Sequence, residues 1–188
     1  MSRAAGLLLA AGEGARLGSP KALVELGGER LVDRGVRILH VAGCVPVHVV
    51  LGAAVVDLPQ AEVVHNPEWR TGMGSSLRAG FAALPADADA VVVTLVDQPL
   101  IGAESVRRLV VAYEGGARLA VATYDGARRN PVLFGRELWG PVGEAARGDV
   151  GARPYLRAHP ELVTPVECGD IADPADIDSP ADLAALRR

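Results

Sequence analysis

The chain has 188 residues, 49% of them hydrophobic but only 4% aromatic, and a formal net charge of −4. This length supports one domain over residues 1–188, with a core of small and branched aliphatic side chains, and the absence of a basic stripe with interleaved aromatics excludes a nucleic-acid partner. Cys44 and Cys168 stand far apart with no further Cys or His at ligand spacing, which excludes a disulfide framework and a zinc site.

The first apolar run, residues 4–11, is too short to span a membrane and has no signal-peptide flank. It reads as a strand, with no membrane association and a cytoplasmic location expected. It runs into LLLAAGEGARLGSPK, residues 7–21, where Gly12, Gly14 and Gly18 let backbone N–H groups turn toward an anion and Arg16 and Lys21 add positive charge. A Walker loop would place its Lys directly after a Gly and before Ser or Thr, whereas Ser19 and Pro20 separate Gly18 from Lys21. A dinucleotide fingerprint would open straight into a helix, whereas Gly27 and Gly28 interrupt the chain and helical spacing begins only near Leu31. The segment is a phosphate cradle of another kind, or else a glycine-rich turn with two solvated cations.

Strand-length apolar runs recur at residues 4–9, 45–51, 62–64, 90–96 and 119–123, and helical spacing at 31–41, 74–84, 103–113, 151–158 and 180–187. Alternation of the two predicts an α/β fold, a Rossmann-like three-layer sandwich around a mostly parallel sheet. Within it, residues 66–80 place a turn, Gly72, Gly74, Ser75 and Ser76 ahead of a helix. N–H groups and hydroxyls there can meet a base edge or ribose, or simply cap the helix. The unbroken run 90–96 reads as a central strand and stops at Asp97, followed by Gln98 and Pro99, which leaves a carboxylate at the strand's C-terminal end where α/β sheets bind ligands. Magnesium suits such a carboxylate when phosphate oxygens share the ion; a turn cap is the alternative.

Residues 125–148, rich in Arg, Gly and Pro, read as irregular excursions over the binding edge. Arg118, Arg128 and Arg129 could grip an anionic acceptor or form a solvated face. Asp176 and Asp178, two apart, would point the same way on a strand. Asp178 either caps the last helix, a role Ser179 with Pro180 could also fill, or completes a magnesium site with Asp97. The four His residues have no acid or nucleophile at a telling spacing, and no Ser lies in a nucleophile elbow.

In chain order, LAAGEGARLGSPKAL, NPEWRTGMGSSLRAG, VDQPL, NPVLFGRELW, GDVGARPYL and DIDSPADLA resemble the MobA-like NTP transferases, the nucleotidyltransferases that act on the molybdenum cofactor. The alanine pair Ala10–Ala11 before the first glycine resembles the cytidylyltransferase type. The resemblance implies CTP as donor, a phosphorylated small-molecule acceptor such as molybdopterin, Mg2+ as cofactor and release of pyrophosphate. It also implies that Leu9, Ala10, Ala11, Gly12, Glu13, Gly14 and Lys21 hold the nucleotide together with Gly72, Ser75, Ser76 and Asp97. On the same grounds Arg16, Lys21 and Asp97 serve catalysis, and Asp97 and Asp178 bind the metal. One departure is Arg129-Asn130-Pro131, where the family often has Gly-His-Pro; Asn does not titrate near neutral pH as His does, which leaves the acceptor's identity open. Other donors or acceptors (GTP, a sugar phosphate, phospholactate) are alternatives within the same chemistry. Two others are a nicotinamide-dependent oxidoreductase on the same fold and a non-catalytic module delivering cofactor to a molybdoenzyme.

Overall fold

Alternation along one strand sets the layering. In the computed structural model, which describes residues 3–186, β1 (Ala4–Ala10) is buried along its whole length. Leu8 and Ala10 enter one apolar cluster and Ala5, Leu7 and Leu9 the other, because successive strand side chains face opposite sides. A strand buried on both faces belongs at the centre of a helix-covered parallel sheet.

A small hairpin, β2 (Glu25–Leu26) and β3 (Glu29–Arg30), leads into α1 (Leu31–Val41), and β4 (Val47–Leu51), β5 (Glu62–His65) and α2 (Met73–Ala83) follow. Next come β6 (Ala90–Leu95), α3 (Ala103–Glu114), β7 (Leu119–Tyr124) and β8 (Ala127–Gly135). The chain closes with α4 (Trp139–Ala145), α5 (Arg153–Ala158), β9 (Val163–Glu167) and α6 (Pro180–Leu186). The main sheet has seven strands in the order β5-β4-β1-β6-β8-β7-β9. Within this sheet β8 alone of the described strands runs antiparallel to its neighbours. α1 and α3 pack on one face through Leu31, Val36, Leu39, Val106 and Leu109. α2, α4 and α5 pack on the other through Leu77, Phe81, Val142 and Tyr155.

β1 lies between β4 and β6, so successive connections leave it toward opposite sides of the sheet. That is the topological switch point, and the crevice it opens lies beyond the C-terminal ends of β1 and β6. The glycine loop and Asp97 are the two segments delivered there.

The fold departs from the sequence expectation mainly in residues 125–148, which are not irregular. Asp125 (φ 50°) and Gly126 (φ 80°) make a two-residue turn joining β7 to β8, with Tyr124 paired to Ala127. Asp-Gly is the dipeptide that such a turn favours, because both central residues have positive φ. β9 also went unpredicted, since Pro165 interrupts its apolar pattern. It is an edge strand, paired only with β7 among the described residues, where a missing N–H is tolerated. The other predicted elements lie within a few residues of their expected bounds; Arg187, the expected end of the last helix, lies outside the described residues. Among the described residues no helix is long and apolar enough to cross a membrane. Both cysteines are buried and free.

Candidate active site

The loop after β1 closes on itself at Gly14, whose carbonyl accepts from the N–H of Leu17 (2.8 Å) and Gly18 (2.9 Å). A side chain at Gly14 would meet the Ser19 carbonyl oxygen at 2.1 Å, and φ is +60°. The loop ends in a 3-10 turn, Lys21–Leu23, that starts with the site's lysine. Lys21 Nζ donates to Asp97 Oδ2 at 2.5 Å and to Asp178 Oδ1 at 2.6 Å. Three segments that are remote in sequence thus converge on one ammonium group.

Local hydrogen bonds explain how Asp178 arrives. Asp182 accepts from Ser179 N–H (2.7 Å), Ser179 Oγ (2.8 Å) and Asp178 N–H (3.0 Å), while its own N–H reaches Ser179 Oγ (3.3 Å). This is a reciprocal capping box with Ser179 as cap and Pro180 in the first helical position. The Asp178 carboxylate is therefore not the cap. Ile177 N–H donates to the Asp97 carbonyl (2.8 Å), and Gln98 Nε2 holds Asp176 Oδ1 (2.8 Å). Asp176 and Asp178 consequently serve different partners rather than sharing one strand face.

Burial works against the charge on Lys21, but the Asp97 carboxylate and the hydrogen bonds to Asp178 and Asp97 outweigh it and hold the ammonium above its ordinary pKa. Burial, aided by the nearby Asp176 carboxylate, raises Asp97 above the usual carboxylate range against the opposing pull of Lys21. Asp97 Oδ1 is buried with no hydrogen-bond partner among the described residues. An orphaned anionic oxygen beside a second carboxylate suits a hard divalent cation that takes its other ligands from phosphate and water. No group of three or more metal-binding side chains occurs among the described residues, so a cation here would depend on such outside ligands.

A cavity of about 480 Å3 opens between the loop and α2, lined by Leu9, Ala11, Gly12, Glu13, Lys21, Gly72, Ser76 and Asp97 of the residues expected from sequence. Ala10 faces the opposite cluster. Gly14 shapes the loop from behind, and Arg16 is exposed and lines neither this cavity nor the next. The expected capping by Ser75 or Ser76 does not occur: Gly72 is the cap residue of α2. Ser75 donates inward to the carbonyls of Glu68 (3.0 Å) and Gly72 (2.9 Å). Buried Asn66 donates to both Ser75 Oγ (2.9 Å) and Ser76 Oγ (3.0 Å), which leaves the Ser76 hydroxyl at the cavity wall.

Trp69, Arg70, Met73 and Asp149 also line this cavity and were not singled out from sequence. The Arg70 guanidinium lies 4.5 Å from the Trp69 ring centroid. Trp69 was legible as the one large aromatic in the 66–80 segment. Asp149 was not, since only folding brings residue 148 against Gly72.

A second cavity of about 430 Å3 shares Met73, Leu95 and Asp97 with the first. Arg128, Arg129, Arg153 and Arg157 line it, as do Asp176 and Asp178. Arg118 is elsewhere, paired with Glu137 at 2.6 Å.

A family model described as the MobA-like NTP transferase domain matches residues 6–163. The chain is 38% identical over 188 residues to the nicotine blue oxidoreductase of Paenarthrobacter nicotinovorans, covering 93% of this chain and 91% of that protein. A solved homologue of Mycobacterium tuberculosis Rv0371c, from Mycobacterium sp. strain JC1, superimposes with a TM-score of 0.83 at 29% identity, covering 98% of this chain and 96% of that one. A nucleotidyl transferase from Methanothermobacter thermautotroptrophicus shares the fold, with a TM-score of 0.79 at 18% identity over 100% of this chain and 97% of that one.

Proposed function

Because the chain belongs to the MobA-like NTP transferase family, we propose that it transfers CMP from CTP to a phosphorylated small-molecule acceptor of the molybdopterin type and releases pyrophosphate. The observation that carries this reading is the convergence of the glycine-loop lysine, Lys21, with Asp97 and Asp178 at the border of two cavities. The first cavity takes the donor and the second the acceptor.

Nucleotidyl transfer needs positioning and charge neutralisation rather than a protein nucleophile. Loop N–H groups from Gly12 onward and the Lys21 ammonium hold the donor's phosphates, Ser76 and Trp69 meet its nucleoside, and the acceptor's phosphate oxygen approaches across the shared edge at Asp97. That oxygen bonds to the α-phosphorus as the bond to the pyrophosphate oxygen breaks. Lys21 supports the charge that develops on both sides. Asp97 and Asp178 would hold magnesium, which supplies further charge neutralisation on the phosphates when bound. Arg16, exposed on the loop, would need to swing inward to contribute. The alanine pair Ala10–Ala11 is what favours CTP over GTP.

A second reading, nicotinamide-dependent reduction of a pigment-like substrate, is favoured by the 38% identity to the relative named nicotine blue oxidoreductase. The paired carboxylates weigh against it, since hydride transfer has no use for a metal pair. Pyrophosphate release, assayed with each of four nucleoside triphosphates, magnesium and a molybdopterin source, tests the first reading. Spectral titration with reduced nicotinamide tests the second. Nicotinamide oxidation without pyrophosphate release would replace the first reading with the second.

A further inference from the structure

Seven arginines elsewhere on the surface pair with carboxylates: Arg3 with Asp87, Arg30 with Asp33, Arg34 and Arg37 with Glu29, Arg107 with Glu104, Arg108 with Asp170 and Arg118 with Glu137. The four at the second cavity have no ion-pair or hydrogen-bond partner among the described residues. They come from two elements, Arg128 and Arg129 from β8 and Arg153 and Arg157 from α5, where a spacing of four puts the latter pair on one helical face. Asp97, Asp176 and Asp178 line the same cavity without pairing with these arginines. The cavity therefore carries separate groups of both charges, and none of its arginines lines the first cavity.

We propose that this cavity selects an acceptor with two separate anionic groups. The reacting phosphate sits at the Asp97 edge, and a second anion, carboxylate or phosphate, is held by the arginine wall. Four unpaired guanidinium groups carry four positive charges, more than the roughly two negative charges that one phosphate brings. A phosphate drawn wholly to the arginines would also stand away from the donor's α-phosphorus, whose cavity the arginines do not line. Lys21 pairs with Asp97 and Asp178 where the reacting phosphate sits, so the unpaired cations left for the second anion are the arginines, and that fixes the acceptor's direction. Val121, Val132 and Leu156 add apolar wall for the acceptor's body. This inference rests on the transferase reading for which group reacts, but its binding content can be measured without turnover.

The probes are ethylphosphonate and 3-phosphonopropionate, which differ by one carboxylate. Each is titrated calorimetrically into the wild type, Arg128→Gln/Arg129→Gln and Arg153→Gln/Arg157→Gln, alone and with magnesium and a non-hydrolysable CTP analogue filling the first cavity. The probe with two anionic groups should bind the wild type about tenfold more tightly, the worth of one charge-assisted hydrogen bond. Each double variant should bring that ratio near one while leaving nucleotide affinity and melting temperature unchanged. A wild-type ratio near one, a ratio that survives both double variants, or no binding of either probe at millimolar concentration overturns the proposal. Failure of the CTP analogue to bind, with the arginine-dependent ratio intact, would instead count against the transferase reading alone.

Discussion

Gly72→Ala tests whether backbone geometry, rather than side chains, sets the wall of the first cavity. Gly72 has φ 110° and ψ 176°, a region that residues with a Cβ avoid. Its added Cβ would stand 2.4 Å from the Gly148 carbonyl carbon and 2.5 Å from its oxygen, and both are backbone atoms that cannot rotate away. Backbone strain and overpacking together imply a loss of about 2–5 kcal/mol. For a domain of this size that lowers the melting temperature by roughly 5–15 °C. The neighbouring 148–149 segment must retreat, and Asp149 lines the cavity, so affinity for the CTP–magnesium complex should fall as well. Gly12→Ala is the internal contrast. No atom lies within 4 Å of its added Cβ and its φ is not left-handed, so stability should hold while nucleotide binding weakens where the methyl meets the phosphates. Urea denaturation with calorimetric nucleotide titration reads both quantities. A Gly72→Ala protein that melts within a degree or two of the wild type would refute the steric argument.

Asp97→Asn should cut pyrophosphate release by about 10²–10³-fold or more. The fold and melting temperature should persist, because burial already makes the Asp97 charge unfavourable; an active variant with unchanged magnesium dependence would rule out the proposed magnesium ligation by Asp97. Phe134→Ala deletes a ring that is 1% exposed and packs edge-on against Phe81 at 5.8 Å, and denaturation should show a loss of about 3–5 kcal/mol; a loss under about 1 kcal/mol would mean that the sheet's second face is not close-packed there. Burial pushes the Cys44 thiol up to about 12, so native protein at pH 8 should resist alkylation at that position, and mass spectrometry should find it modified only after denaturation. The unfolded thiol ionises from about pH 8.5 whereas the folded one keeps its proton. The contribution of Cys44 to stability is therefore constant below that pH and is lost as pH rises toward 12; a Cys44→Ala variant with the same alkaline stability profile as the wild type would contradict this.

Much of the layering was legible in the sequence. The apolar run of β1 announced a strand and the run at 90–96 a central one, the 3.6-residue spacing of Leu31, Val32 and Leu39 announced α1, and Gly27–Gly28 separated the glycine loop from that helix. Asp97 was visible as a carboxylate ending a buried run. β8 was not legible because its first residues are charged and exposed, so no apolar period signals a strand. Charge alone groups Arg118 with Arg128, although the two lie in different surroundings, and nothing local to Arg153 or Arg157 marks them as cavity residues.

Local sequence specified most of the elements, the glycine loop and the kind of chemistry its residues support, because periodicity, turn preference and charge are properties of a short window of chain. Tertiary structure alone decided which carboxylate meets Lys21. Asp178, 157 positions away, is brought in by a capping box that turns its side chain loose and a backbone hydrogen bond that ties Ile177 to Asp97. It also decided that an antiparallel strand and a six-residue helix would bring four unpaired arginines into one cavity with three aspartates. Such meetings depend on strand order and on how loops close over the sheet edge, and no local pattern encodes that distance.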